Sequence, residues 1–67
     1  MAINAPLAEQ IESLVDQYSV KELLEALADV CCEKAEHLEA NWQDGESAKP
    51  WRRTATRVEA ARIRAEV

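Results

Sequence analysis

Cys31, Cys32, Glu33 and His37 place two thiols, a carboxylate and the chain's single imidazole in one short stretch. These are the donors that zinc takes, and adjacent cysteines also invite redox chemistry. The spacing completes neither site. Glu33 and His37, four apart on a helix, share one side, and Cys32 joins them only with rearrangement. The set lacks the paired C-x-x-C spacing of common zinc sites and would need ligands from another helix or protomer. Adjacent helical residues point about 100° apart, so a vicinal disulfide would distort the helix. Cys31 is expected toward the core, and Cys32 nearer an acidic flank rather than the cationic surroundings of reactive thiols. Two ordinary thiols, a solvated histidine, no metal and no cofactor are therefore expected.

Asp and Glu number 13, yet paired acid-base catalysis needs two carboxylates in different microenvironments around a cleft, which helical proximity does not create. A single glycine excludes a glycine-rich phosphate cradle, and neither a His-Glu-x-x-His motif nor a nucleophile elbow is present. Ser19 and Ser47 read as helix caps. No catalytic residue is expected, and the chain is not read as an enzyme. Arg53, Arg57 and Arg64 form a cationic track on the last helix, with Lys49 and Arg52 nearby, and arginine forks suit phosphate. Nothing adds a base-reading set or an aromatic stacking platform, and the acidic second helix would repel the same polymer. Weak nucleic-acid or phosphate-backbone binding is thus the alternative function.

These groups sit on a divided chain. Of the net charge of −5, residues 1–46 carry eleven acids and two lysines, and residues 47–67 carry six basic residues and two glutamates. The division favours charge-guided association, within the chain or with a second copy. Three helices are expected. The first runs from an Asn4 N-cap to Tyr18, with Pro6 in its first turn and Leu7, Ile11, Leu14, Val15 and Tyr18 spaced by threes and fours. Ser19-Val20-Lys21-Glu22 reads as a capping box that opens a second helix, Val20–Trp42. On that helix Leu24, Leu27, Ala28, Cys31, Ala35, Leu38 and Trp42 fall within an arc of about 100°, and Glu22, Glu25, Asp29, Glu33 and Glu36 lie opposite. Residues 43–49 are expected as the interhelical loop, with Asp44-Gly45 as its turn, Ser47 as a cap and Pro50 in the first turn of a third helix, 50–65. Trp42 and Trp51 would close the loop end of the resulting hairpin.

At 67 residues the chain suffices for one domain, 1–67, but buries proportionately little surface. Apolar residues at 48%, with one Gly and two Pro, oppose disorder. The absence of an 18-residue apolar run argues against a membrane span, and the opening residues lack the pattern of a secretory signal, so a cytoplasmic location is expected. The expectation is an all-α, three-helix chain with a long central helix and a C-terminal helical hairpin, assembled as a homodimeric bundle. Ile11, Leu14, Leu24, Leu27, Cys31, Leu38, Trp42 and Trp51 would supply its apolar interface. Glu25, Asp29 and Glu33 would pair with Arg53 and Arg57, within a hairpin or across protomers. The function expected is a small protein-interaction or regulatory module, with a second copy or an unidentified protein as partner.

The stretch Leu23–Asp44, LLEALADVCCEKAEHLEANWQD, resembles a segment of short uncharacterised bacterial proteins, cyanobacterial ones in particular. The resemblance covers about a third of the chain. It implies a compact intracellular helical protein and brings no catalytic residues with it.

Overall fold

The computed structural model describes residues 5–67, which form three α-helices: α1 (Ala5–Gln17), α2 (Val20–Asn41) and α3 (Gly45–Arg64). The expected Asn4 cap lies outside the described residues. None of the three helices is long and apolar enough to cross a membrane. The first break falls at Ser19, as its sequence signal requires: the residue is extended (φ −159°, ψ 166°) and its hydroxyl accepts the Glu22 N–H at 3.1 Å. Only this half of the capping box forms. The serine covers an amide that the first turn leaves without a partner, and α2 starts afresh rather than continuing α1.

The second break is tighter than the expected loop over 43–49. Trp42 caps the end of α2, Gln43 takes a left-handed conformation (φ 50°), and α3 begins at Gly45. The Trp42 and Asp44 N–H groups both donate to the Leu38 carbonyl, at 3.2 and 3.0 Å, which satisfies a helix-end acceptor twice. Asp44, not Ser47, is the N-cap: its Oδ1 accepts the Ser47 N–H at 3.0 Å. Aspartate caps as well as serine does, and its earlier position gives α3 another turn. Pro50 consequently lies inside the helix rather than in its first turn. Its ring removes the N–H that would donate to the Glu46 carbonyl four residues back, a cost held down by solvent, since both residues are exposed.

α2 and α3 pack along their lengths as an antiparallel hairpin, and among the described residues α1 touches α2 and not α3. The Lys21 N–H donates to the Val67 carbonyl at 3.3 Å, which ties the chain's last residue to the start of α2. The seam is made of small side chains: Ala28, Cys31 and Ala35 from α2 and Ala48 and Ala55 from α3 are the buried apolar residues. Small side chains let two helix backbones approach closely, so contact is gained by proximity rather than by interdigitated large residues. The expected apolar arc on α2 is therefore split. Its small members are buried, Leu24 and Leu38 are half-buried, and Leu27 and Trp42 remain 48% and 69% exposed.

The radius of gyration is 13.9 Å, against about 11 Å for a compact domain of this length. The accessible surface is 5479 Å², against about 4,200 Å² expected of a compact monomer of this mass. α1, which meets the hairpin sparsely and through α2, contributes to both excesses.

Candidate interaction surface

The register of the alanine seam decides which charges face one another. With Ala48 and Ala55 turned to α2, Arg52, Glu59 and Arg62 lie beside the seam, and Arg53, Arg57 and Arg64 lie on the far side of α3. Arg52 crosses to α2: its Nε donates to Glu39 Oε1 at 2.9 Å and its Nη2 donates to the same oxygen. The hydrogen bond and the charge of Glu39 raise the Arg52 pKa further above its ordinary value. Arg62 Nε donates to Glu59 Oε1 at 2.8 Å within α3, and that hydrogen bond holds the Glu59 carboxyl below its ordinary value. Arg62 also feels Glu25 across the hairpin.

The expected pairing of Arg53 and Arg57 with Glu25, Asp29 and Glu33 is thus not made within the hairpin. Among the described residues the bridge from α2 to α3 is Glu39 to Arg52. Charge sign was readable from the sequence, but sign does not set rotation about a helix axis. The signal that could have found Arg52 was the pair Ala48 and Ala55, seven apart, which marks the face of closest approach. Both members of the bridge are about half exposed, 51% and 43% by side chain, so its role is to orient the helices.

At the loop end, His37 is held by its own helix. Its Nδ1 lies 2.8 Å from Asn41 Nδ2, and its Nε2 accepts the Trp42 indole N–H at 3.4 Å. With Nε2 accepting, a neutral ring carries its proton on Nδ1, and that bond is complete when the Asn41 amide presents its oxygen. Trp42 therefore turns back along α2 instead of sealing the hairpin with Trp51, which is itself 38% exposed. The histidine, Cys31 in the seam and Cys32 beside it diverge. Among the described residues no group of three His, Cys, Asp or Glu side chains is placed to hold a metal ion.

The Asp44 cap carries a pH dependence. Hydrogen bonds from Ser47, through its side chain first and its backbone second, hold the Asp44 carboxyl below its ordinary value. A carboxyl depressed in the folded state contributes stability that is fully present above its unfolded pKa of about 3.9 and is lost as pH falls through the lower folded value. The melting-temperature advantage of the wild type over Asp44→Asn, whose amide oxygen caps at every pH, should therefore shrink on acidification from pH 5 to pH 3. Melting curves at the two pH values check this, and a constant difference would contradict it.

The two flanks of the seam differ. One holds an open groove lined by Ala28, Asp29 and Cys32 of α2 and by Arg52, Ala55, Thr56, Glu59, Ala60 and Ile63 of α3. The other carries the larger apolar side chains: half-buried Leu24, Leu38 and Val58 beside exposed Leu27 (48%) and Trp51 (38%). On α1, Ile11 (47%), Leu14 (40%) and Tyr18 at its end (57%) repeat the pattern. Of the expected apolar interface, only Cys31 is fully buried within the chain. The site is therefore a surface, apolar along α1 and one flank of the hairpin and bordered by arginines on α3. Comparison of the chain with protein-family models, with curated proteins and with solved structures gives no match.

Proposed function

We propose that the chain is a protein-interaction module that works by helix-mediated assembly, with a second copy of itself as the first partner and a binding rather than a catalytic role. The observation that carries this reading is the inversion of its burial. Among the described residues all the buried apolar side chains are alanine or cysteine, and ten larger apolar ones, from Leu7 to Val67, are 38% to 70% exposed. Burial of a large aliphatic side chain stabilises by about 1.5–3 kcal/mol, so a short chain that leaves these in water has most of its hydrophobic stabilisation still available to an interface. Two free cysteines, neither in a disulfide, suit a reducing compartment and support a cytoplasmic setting for the module.

Sedimentation equilibrium across micromolar concentrations is expected to return a species of twice the 7.5 kDa chain mass. A single 7.5 kDa species throughout, folded by circular dichroism, would reject self-assembly. A second reading draws on Arg53, Arg57 and Arg64, which are exposed and, among the described residues, in no ion pair. Such a track suits a phosphate backbone, and its binding would fall steeply with salt. The same sample titrated against labelled duplex and single-stranded DNA at low salt tests it, and absence of binding discards it.

A further inference from the structure

We propose that α1 of one copy occupies the apolar flank of a second copy's hairpin, and that the exchange is reciprocal. The proposal rests on the assembly reading above and names the surfaces that carry it. Two helices side by side with an apolar flank form the trough in which a third completes a bundle. Leu27 and half-buried Leu24 and Leu38 on α2 and Trp51 and Val58 on α3 border such a trough. The chain contains one helix of matching chemistry that does not use it: among the described residues α1 makes no contact with α3, and it meets α2 only sparsely. With 13 residues, α1 is about 20 Å long at 1.5 Å per residue, enough to cover more than half of α2.

Two observations favour a second copy over closure of α1 on its own hairpin, and the exposed area suffices for it. The link from α1 to α2 is Tyr18-Ser19, and Ser19 is committed in an extended conformation to the cap of α2, so it holds α1 away from its own trough. Charge points the same way. α1 carries Glu9, Glu12 and Asp16 and no basic residue, and in its own chain it adjoins α2, which is also acidic. A copy seated between α2 and α3 of its partner also has Arg57 at the outer edge of that flank, an attraction that steers the encounter, while Arg53 and Arg64 lie further round on the far side of α3. Area agrees as well: the 5479 Å² of accessible surface exceeds the compact-monomer expectation by about 1,200 Å², more than the roughly 800 Å² per partner of a standard interface. Reciprocal exchange makes the same contact twice about a two-fold axis and leaves no unsatisfied end for open polymers.

Two variants of the full chain separate the surfaces. Ile11→Glu with Leu14→Glu spoils the inserted helix, and Leu27→Glu spoils the receiving flank. All three positions are at least 40% exposed in the single chain, so hairpin helicity by circular dichroism should persist. Each variant alone is expected to raise the dimer dissociation constant by at least about 100-fold. An equimolar mixture should recover a heterodimer by sedimentation velocity, because one intact α1 then meets one intact flank. A wild-type chain that stays monomeric would overturn both this proposal and the assembly reading. A wild-type dimer whose variants remain dimeric, or whose mixture remains monomeric, would overturn the exchange alone.

Discussion

Replacement of Ala35 by leucine is expected to lower the melting temperature of the chain by about 5–20 °C. Ala35 is fully buried, at 0% exposure, in a seam whose other members are Ala28, Cys31, Ala48 and Ala55. Leucine adds three carbons where the helix backbones approach most closely, and overpacking of this kind typically costs about 1–3 kcal/mol. The whole stability of a chain this short is on the order of 3–10 kcal/mol, and each kcal/mol moves the midpoint of a small domain by about 4–8 °C. Leucine and alanine have similar helix propensities, so the change reports packing between helices rather than the intrinsic stability of α2. Ala40→Leu, on the exposed side of the same helix, is the control and should melt within a few degrees of the wild type. Thermal unfolding by circular dichroism at one protein concentration measures both, and equal midpoints for the two variants would show that the seam does not hold the hairpin.

The two adjacent thiols should differ in alkylation rate by about 100-fold or more. Cys31 is 3% exposed in the seam, and Cys32, one residue on, is half-buried at the open groove. A reagent reaches Cys32 in the folded chain and Cys31 only when α2 and α3 separate, and an opening free energy of about 3 kcal/mol corresponds to a factor of roughly 100. Mass spectrometry over time should show one adduct forming quickly and a second slowly, with the order of sites read from peptide fragments. In denaturant both should react together. Equal rates under native conditions would mean that the seam opens freely, and the two-helix core would then have to be abandoned as the stable part of the molecule.

Much of the fold was legible because its determinants are local. The spacing of Leu7, Ile11 and Leu14 announces α1, Ser19 and Glu22 announce the start of α2, and the stop near Trp42 precedes a residue pair, Asp44-Gly45, that cannot easily continue a helix. The boundary of α3 was misplaced for an equally local reason. Asp44 and Ser47 are both good caps three residues apart, and Pro50 favours the later one, so propensity alone selects Ser47. The aspartate prevails where its carboxylate meets the Ser47 N–H and Ala48 enters the seam from the added turn.

The surface was less legible. An apolar arc shows which side of α2 avoids water but not which of its members meet α3 and which are left over. Leu24, Leu27, Leu38 and Trp42 read the same as Ala28, Cys31 and Ala35 by periodicity, yet the close approach of the backbones buries the small residues, leaves Leu24 and Leu38 half-buried and leaves Leu27 and Trp42 exposed. The same rotation turns Arg52 toward Glu39 and Arg53 and Arg57 outward.

By itself, the order of residues in this chain determined three helices, the break at Ser19, the position of the turn between α2 and α3 and an acidic half followed by a basic one. Each follows from hydrogen bonds and side-chain neighbours within a few positions of one another. The tertiary structure alone decided that an alanine seam is the core, that Arg52 rather than Arg53 or Arg57 bridges the hairpin, and that α1 stands apart with its apolar side uncovered. Those outcomes depend on how closely two helices distant in the chain approach and how each is rotated, quantities set by packing between elements and by no single stretch of sequence.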